Sequence, residues 1–555
     1  MAPRRTLVRW VVVAVSATLL GLWVLGGKSS VKLRQTQWQA IKAKDAKLDT
    51  SYTADKPKQE AIVAAFKHAW SAYERDAMGD DEYHPIGHKG SNLSAAGGIG
   101  YAVIDAIDTM QIMGLTSEYQ RARKWIAEKL TFDRDGKHNT FETTIRVLGG
   151  LLSAYHLSDE DPVFLERAVD LADRMLPAFT TKSGLPLPMV NLHKKQGVGE
   201  DYNANLISTA EATTLQLEFK YLSHLTDNEE YWRKAEKVMK VVKDAKIEFG
   251  LAPIFMNAET GDFMMSEIRL GSRGDSYYEY LLKQYLLTNR TEAVYEQMYQ
   301  DTMDAIHSTL VRQGVNKGST YTIEMLPQRH EGGLKWTLSP KQDHLVCFLA
   351  GSLMLGAVRS RAFVEAVSVP PLASELSDAG KNDWNLGYEL LETCIDTYDS
   401  PTGLSAEIVH FYVDGDGRDW KENRGKDWYV KGMEFLGTAP SYDARYILRP
   451  ETVESLFIAF RLTGDHRYRD YGWKIFQSIE KHCKVESGGY ASILDVMNVN
   501  TAKEDKMETF FLSETLKYLY LLFSDASVLP LDQYVFNTEA HPFPIFHSGV
   551  RPLFS

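Results

Sequence analysis

Cysteine is scarce in this chain, with three residues in 555. They show no Cys-x-x-Cys spacing, which excludes the zinc motifs built on it, and they allow at most one disulfide, which excludes a disulfide-stabilised scaffold. Proline and glycine are not in excess. Hydrophobic residues make up 44% of the chain and charged residues 25%. This is the composition of a folded protein, so a disordered scaffold is excluded.

Basic residues are too few to balance the acidic ones outside the amino terminus. The first 34 residues contain six Lys and Arg and no acidic residue, whereas the rest of the chain has 56 basic and 74 acidic residues, a net charge of −18. An acidic surface repels phosphate backbones. We therefore expect no nucleic-acid partner.

One long uncharged apolar run lies near the amino terminus, WVVVAVSATLLGLWVLGG at residues 10–27. Its 18 residues are enough to span a bilayer core and exceed the usual apolar part of a cleaved signal peptide. Because Arg4, Arg5 and Arg9 precede the run, we predict a signal anchor at residues 10–27, with residues 1–9 in the cytoplasm and the chain from residue 28 onward in the lumen. The alternative is a long cleaved signal peptide.

A polar, Lys-rich segment at residues 28–58 follows, with little apolar periodicity. Such a composition is typical of a stem that holds a domain away from the membrane. We therefore predict that the folded domain covers residues 59–555. Two sequons in this domain, at Asn92 and Asn289, predict N-glycosylation if the domain is luminal.

Helix-period segments recur along the domain, each ending in Leu-Ser/Thr-Asp or a close relative. About 500 residues divided by a repeat of about 60 to 70 residues gives seven or eight helical hairpins, which predicts an all-α fold. Serial hairpins form either an open solenoid or a closed toroid. The long repeat and its Gly-rich and polar insertions favour a barrel whose loops build a pocket. The leucines that mark the repeat are Leu157, Leu225, Leu287, Leu462 and Leu522.

Four segments combine acidic residues with Arg, aromatic and turn residues. Each acid alone has an ordinary explanation, because acidic residues are favoured as caps and in the first turn of helices. Around one barrel mouth, however, they would supply the protonated acid and the ionised partner that glycoside hydrolysis requires. The segments are FETTIR at 141–146, GSRGDSYYEY at 271–280, LRPETVES at 448–455 and FNTEAHP at 536–542.

These residues resemble glycoside hydrolase family 47, the class I α-1,2-mannosidases. The resemblance runs from about residue 59 to residue 542 and implies an (α/α)7 barrel. Its motifs are YAVIDAIDTMQIMGL, FETTIRVLGGLLSAYHLS, GSRGDSYYEYLLKQY, DHLVCFLAG, GLSAEIVHF, LRPETVESLF, METFFLSETLKYLYLLF and VFNTEAHP.

The resemblance implies inverting, calcium-dependent hydrolysis of terminal α-1,2-linked mannose from high-mannose N-glycans. By motif match, Glu142 corresponds to the general acid and Glu451 to the base that activates the attacking water. Asp275 is the third carboxylate and an alternative acid, so the proton donor stays open between Glu142 and Asp275. Thr538 corresponds to the direct protein ligand of Ca²⁺, through its hydroxyl and carbonyl oxygens.

The resemblance also implies a set of residues that line the pocket or contact sugar, with Phe510 as the platform for the terminal ring. It implies a disulfide between Cys347 and Cys394, which leaves Cys483 as a buried thiol. The implied substrate-binding residues are Arg146, Glu211, Arg273, His344, Glu407, Arg449, Glu454, Phe510, Glu514 and Glu539.

Arg273 bears on the subtype, because the endoplasmic-reticulum type of this family carries Arg at this position and Golgi relatives usually carry a smaller or apolar residue. The resemblance therefore implies conversion of Man9GlcNAc2 to Man8GlcNAc2 isomer B, in glycoprotein processing and quality control. We expect a single-pass type II protein of the endoplasmic-reticulum membrane, with early Golgi as the alternative. Competing hypotheses are a broader Golgi-type mannosidase, which Arg273 disfavours, and a glycan-binding lectin, which the retained acids and Thr538 disfavour.

Overall fold

The computed structural model describes residues 52–554, except 246, 332, 416–417, 419–424 and 432–439. The predicted cytoplasmic tail and signal anchor, and residues 28–51 of the predicted stem, lie outside the described residues. Within the described part, no helix has both the length and the apolar character needed to cross a membrane. The first helix begins at Lys56, after the capping residue Asp55, three residues before the predicted start of the domain.

Fourteen α-helices of seven residues or more alternate between an outer and an inner layer of the described structure. The even-numbered helices are the inner ones. In chain order the helices are α1 Lys56–Ala77, α2 Tyr101–Ile112, α3 Thr116–Glu128, α4 Gly149–Leu157, α5 Pro162–Met175, α6 Gln216–Thr226, α7 Glu229–Asp244, α8 Asp275–Leu287, α9 Ala293–Thr309, α10 Phe348–Arg359, α11 Asp378–Asp396, α12 Glu451–Thr463, α13 Arg467–His482 and α14 Leu516–Leu522.

Shorter helical segments lead into some of these helices. Two are α-helical turns and two are π-helical turns, which continue directly into α4 and α14. Four 3₁₀ turns complete the helical structure of the described residues. The α-helical turns are Thr140–Glu142 and Thr209–Thr213, the π-helical turns are Thr143–Leu148 and Phe511–Thr515, and the 3₁₀ turns are Leu176–Phe179, Glu248–Gly250, His344–Cys347 and Tyr442–Ala444.

The inner helices form a closed ring. Each contacts the next inner helix, and the π-helical turn before α14 contacts α2, which closes the circle. The two layers differ in burial. In inner helix α10, 11 of the 12 residues are buried, whereas in outer helix α7 only 7 of the 16 residues are buried. An apolar surface on all sides is typical of a helix surrounded by protein. The closed ring confirms the predicted helical barrel and excludes the open solenoid.

The all-α prediction missed sixteen short strands of the described ranges, which form seven small antiparallel sheets in the connections between helices. Most have three residues, too few to show the alternating pattern by which strands are predicted. They are β1 Glu82–His84, β2 Lys89–Ser91, β3 Lys137–Asn139, β4 Met189–Asn191, β5 Gln196–Val198, β6 Leu206–Ser208, β7 Phe255–Asn257, β8 Val311–Gln313, β9 Thr320–Thr322, β10 Glu324–His330, β11 Gly333–Ser339, β12 Lys341–Asp343, β13 Ile408–Phe411, β14 Trp428–Tyr429, β15 Tyr534–Phe536 and β16 Pro542–Pro544.

The hairpin of β15 and β16 lies inside the barrel. Its strands contact α8 and α4, and the connecting residues, 537–541, include the fully buried Asn537 and His541. Gly149 permits this close approach, because a Cβ atom there would lie 2.6 Å from Nδ2 of Asn537. The hairpin therefore brings its loop to the centre of the inner ring.

The disulfide expected between Cys347 and Cys394 is present. Cys347 directly precedes α10 and Cys394 lies in α11, so the bond joins an inner helix to its outer neighbour. Cys483 is a free, buried thiol, as expected from the sequence.

Candidate active site

A cavity of about 310 Å³ opens at the end of the barrel where the inner helices begin. The residues that start α8 and α12, Asp275 and Glu451, line it, as do the turns that lead into α4 and α14. The loop of the β15–β16 hairpin supplies Thr538 and Glu539. The cavity therefore collects helix amino termini, whose dipoles favour negative charge.

Local capping fixes two of the acidic residues at this mouth. Asn139 accepts a hydrogen bond from the backbone N–H of Glu142 at 2.8 Å, and Ser208 accepts one from that of Glu211 at 3.2 Å. The carboxylate of Glu211 accepts two further hydrogen bonds. The Ser208 hydroxyl donates to its Oε2 at 2.7 Å, and Nδ2 of Asn139 donates to its Oε1 at 2.9 Å. These side-chain caps satisfy helix-terminal N–H groups and so determine where the helical turns begin.

Glu451 is buried, with 8% of its surface exposed, and contacts the side chains of His344 and Arg449. Nδ1 of His344 donates to Oε2 at 2.7 Å, and Nη1 of Arg449 lies 3.5 Å from Oε1. Burial opposes ionisation of the carboxyl, but Arg449 and His344 outweigh it and hold the pKa of Glu451 below its usual value. Glu451 is thus an ionised carboxylate suited to accept a proton from water.

His344 and Glu407, expected among the lining residues, lie behind the cavity wall instead. His344 supports Glu451, as described, and Glu407 accepts hydrogen bonds from Nε of Arg449 at 3.0 Å and from Nη2 at 2.6 Å. Both side chains are buried. Because Nδ1 of His344 bonds to Glu451 and the carboxylate of Glu407 bonds to Arg449, both side chains orient a lining residue.

Asp275 is the half-buried first residue of α8. Burial raises the pKa of its carboxyl to about 7, against the lowering effect of a hydrogen bond from the N–H of Ser276 at 2.7 Å. The charges of Glu279 and Glu451 raise it further. Asp275 therefore retains a proton over a pH range in which Glu451 is ionised.

Glu142 forms an ion pair within its own helical turn. Nε of Arg146 donates to Oε2 of Glu142 at 2.8 Å, and the hydroxyl of Tyr101 lies 3.4 Å from the same oxygen. Arg146 also bonds to Glu539 of the hairpin loop. Arg146 thus connects the mouth of the pocket to its floor.

Phe510 provides an aromatic surface between two arginines. Its ring centre lies 5.7 Å from Cζ of Arg146 and 5.5 Å from Cζ of Arg449. The side chain is buried apart from the face that lines the cavity. An apolar ring flanked by hydrogen-bond donors is suited to hold the face of a sugar.

Acidic residues outnumber basic ones around the cavity, and many of them lie at its floor. Eight acidic residues and three arginines line it. Burial raises the pKa of Glu454 to about 8 and that of Glu514 and Glu539 well above the usual range. Lys283, buried below, pairs with Glu279 and lies 3.5 Å from Glu454. The floor has an excess of acidic groups that protons or a cation must compensate.

The sequence prediction missed Glu279 and Lys283. The signal was present, because they follow Asp275 by four and eight residues and so share its face of α8. The predicted residues Glu142, Asp275, Glu451, Thr538, Arg146, Glu211, Arg273, Arg449, Glu454, Phe510, Glu514 and Glu539 all line the cavity.

Thr538 reaches the floor from the hairpin loop. Its hydroxyl donates to Oε2 of Glu279 at 2.7 Å, and its N–H donates to the Tyr280 hydroxyl at 3.3 Å. Its oxygens are hard ligands of the kind that Ca²⁺ prefers. Within the described ranges, no group of three or more His, Cys, Asp or Glu side chains forms a metal site.

Arg273 is exposed at the rim of the pocket. Its backbone has φ +73°, its carbonyl accepts from the N–H of Ala210 at 2.9 Å, and Cζ lies 5.3 Å from the ring of Phe255. Away from the pocket, the sequon residues Asn92 and Asn289 are exposed, as glycosylation requires.

The model of Glycosyl hydrolase family 47 matches residues 65–545. The chain therefore belongs to this family of glycoside hydrolases, as its motifs predicted. The match includes every acidic residue described around the cavity.

Curated relatives support the assignment over nearly the whole chain. A mannosyl-oligosaccharide 1,2-alpha-mannosidase of Candida albicans is 43% identical over 501 residues, 88% of this chain and 84% of its own length. The endoplasmic reticulum mannosyl-oligosaccharide 1,2-alpha-mannosidase of Saccharomyces cerevisiae is 40% identical over 520 residues, 89% and 91% of the two chains. The solved alpha-1,2-mannosidase from Trichoderma reesei has a TM-score of 0.77 and 28% identity, covering 89% of this chain and 100% of that chain.

Replacement of Asp275 by Asn should stabilise the protein at neutral and alkaline pH. The folded pKa of about 7 lies above the value of 3.8 for an unperturbed Asp, so the unfolded chain loses this proton first and wild-type stability falls between those pH values. Each unit of pKa difference corresponds to about 1.4 kcal/mol. Asp275→Asn does not lose stability in this way. Its gain in free energy of unfolding over the wild type should therefore be smallest near pH 4 and reach a plateau above pH 7.

Urea unfolding of both proteins between pH 4 and pH 8 measures this advantage. Asp378→Asn is the control, because that side chain is 99% exposed. An advantage of Asp275→Asn that does not change with pH would contradict the account of Asp275.

Proposed function

We propose that this protein is a calcium-dependent, inverting α-1,2-mannosidase that trims Man9GlcNAc2 chiefly to Man8GlcNAc2 isomer B. The names of its relatives support the linkage and the substrate class. One contrast carries the chemistry: burial raises the pKa of Asp275, whereas at Glu451 the effect of burial is outweighed by Arg449 and His344. Two carboxyl groups shifted in opposite directions provide an acid and a base at one pH.

Glu451 is the general base of the proposed reaction. Its ionised carboxylate takes a proton from a water molecule as the water oxygen attacks the anomeric carbon of the terminal mannose. Attack on the face opposite the departing oxygen gives a β-mannose product. His344 and Arg449 keep Glu451 ionised and fix the direction of its carboxylate.

Asp275 is the general acid that the electrostatics favour. As the glycosidic C–O bond breaks, the departing oxygen takes the proton that Asp275 holds. Glu142, by contrast, accepts a hydrogen bond from Nε of Arg146 at 2.8 Å, so its carboxyl group is engaged with a neighbouring side chain. We therefore assign Glu142 to orienting Arg146 and the solvent beside the departing oxygen.

Phe510, Arg146 and Arg449 form the proposed site for the terminal ring. The apolar face of mannose packs on Phe510, while the two arginines and the acidic groups of the floor hydrogen-bond its hydroxyls. Arg273 at the rim contacts the rest of the glycan. Its guanidinium has several donors in a rigid plane and is suited to select one branch.

The floor fits a Ca²⁺ ion in its chemistry. Thr538 would hold the ion through its hydroxyl and carbonyl oxygens, with water completing the shell. The excess of carboxyl groups around it, including Glu279, Glu454, Glu514 and Glu539, favours a divalent cation. When bound, the ion would supply positive charge to this acidic floor and orient sugar hydroxyls there.

We further propose that the protein works in the lumen of the endoplasmic reticulum, held by the amino-terminal anchor. The location in the names of several relatives supports this compartment. The exposed sequons and the apolar run at residues 10–27 agree with a secretory protein. Its substrates would be high-mannose N-glycans on glycoproteins.

Replacing the proposed acid and the proposed base by their amides should each remove one limb of the pH–rate profile, the high-pH limb for the acid and the low-pH limb for the base. Asp275→Asn and Glu451→Gln should each lower turnover by about 10² to 10⁴-fold. The residual activity of Asp275→Asn should lose the fall at high pH, because no donor is left to deprotonate. That of Glu451→Gln should lose the fall at low pH, because no base is left to protonate.

The measurement is kcat/KM on Man9GlcNAc2 from pH 4 to pH 9. Glu142→Gln is the matched comparison, and it should lower turnover while keeping both limbs. Loss of the high-pH limb in Glu142→Gln, with the limb retained in Asp275→Asn, would transfer the acid role to Glu142.

Arg273→Leu should relax branch selection without abolishing hydrolysis, because Arg273 is exposed at the rim and has no part in the proposed acid–base chemistry. The expected result is a mixture of Man8 isomers and smaller glycans, resolved by isomer-sensitive chromatography. Arg121→Leu, on an outer helix and paired with Glu74, should leave isomer B as the product. An unchanged product pattern in Arg273→Leu would remove Arg273 as the selector.

A further inference from the structure

Three charged residues lie fully buried beneath the pocket floor and take no part in the proposed chemistry. Asp108 of α2, Lys517 of α14 and His541 each have 0% exposure. Nζ of Lys517 lies 2.9 Å from Oδ1 of Asp108, and Nδ1 of His541 donates to Oδ2 of Asp108 at 2.8 Å. We call Asp108, Lys517 and His541 the hairpin anchor.

The hairpin anchor holds the loop between β15 and β16 at its carboxyl-terminal side. Besides Asp108, Nζ of Lys517 donates to the carbonyl of Ala540 at 2.7 Å. The N–H of His541 donates to Oδ1 of Asn537 at 2.8 Å, and its carbonyl accepts from the N–H of Asn537 at 3.0 Å. Two inner helices and the two ends of the loop are thus joined at one buried point.

The same loop carries the groups that reach the pocket floor. Thr538 bonds to Glu279, and Glu539 bonds to Arg146 and accepts from the Ser513 hydroxyl at 3.1 Å. The N–H of Glu539 also donates to Oδ1 of Asn537 at 2.9 Å. A shift of the loop at Ala540 or His541 would therefore be passed within a few residues to Thr538 and Glu539.

Stability alone is a weak reason for such a cluster. Buried ion pairs cost several kcal/mol in desolvation per ion, and apolar replacements are often as stable. Burial opposes charge on Asp108, yet Lys517 and His541 lower its pKa to about 2, so its carboxyl group is ionised. A fixed network of charges with defined directions specifies one position of the loop, which apolar packing does less strictly.

We propose that the hairpin anchor is a positioning device, which fixes the hairpin loop so that Thr538 and Glu539 present their oxygens at the pocket floor. Its members are positioning residues, because they act through the loop. The inference rests on the proposed function in one respect, the assignment of Thr538 to calcium. Its prediction for the loop itself does not depend on calcium.

The test compares Lys517→Met with Lys220→Met in the full-length protein. Lys220 is a matched control, since it is also fully buried and pairs with a single carboxylate, Glu292, at 2.7 Å. Hydrogen exchange followed by mass spectrometry reports on residues 537–541, and calorimetric titration with CaCl₂ reports on the ion. If Lys517→Met does not fold, Asp108→Asn takes its place; it removes the charge that faces both Lys517 and His541 with little change of shape.

Supporting outcomes are faster exchange of residues 537–541 and calcium binding weakened about 10- to 100-fold in the Lys517 variant, with neither change in Lys220→Met. Unchanged exchange, unchanged calcium affinity, or equal changes in the control would overturn the proposal. If the wild-type protein binds no calcium, the assignment of Thr538 fails, and the exchange comparison alone decides whether the anchor holds the loop.

Discussion

The excess of acidic groups in one cavity is the constraint on which the site depends. Eight acidic residues and three arginines line it, and carboxylates cannot all ionise at close range in a buried place. Burial and the neighbouring side chains therefore decide the state of these carboxyl groups. Arg449 and His344 keep Glu451 ionised, whereas burial and the charges of Glu279 and Glu451 outweigh Arg449 at Asp275 and raise its pKa to about 7.

The barrel supplies that arrangement through its geometry. A closed ring of inner helices brings their amino termini to one mouth, so residues far apart in sequence face each other across the cavity. The other groups enter from within, because the β15–β16 hairpin carries Thr538 and Glu539 into the ring. The acidic floor is thus built from two independent parts, the helix starts and the hairpin loop.

Much of this organisation could be predicted from the sequence. The repeat of helical hairpins predicted the barrel, and the motifs at helix starts predicted most of the lining residues. Glu279 and Lys283 could also have been predicted as site residues, since their spacing from Asp275 places all three on one helical face. Short strands such as β3 could not be predicted, because three residues carry no periodic signal.

Long-range partners were the other part that the sequence could not provide. Asp108 lies 433 residues from His541 and 409 from Lys517, and no local pattern connects them. Similarly, His344 and Glu407 were expected at the cavity surface, but their positions behind Glu451 and Arg449 depend on how separate segments meet. Such pairings arise from the closure of the ring and not from neighbouring sequence.

Proton NMR of the mannose released from Man9GlcNAc2, recorded before mutarotation and in the presence of Ca²⁺ or EDTA, tests the central claim most directly. We expect β-mannose to appear first, in the calcium sample, and the remaining glycan to be Man8GlcNAc2 isomer B. Initial release of α-mannose would contradict an acid–base pair that activates water for inversion. Glycan binding without release of mannose would contradict the assignment of Asp275 and Glu451 as a catalytic pair.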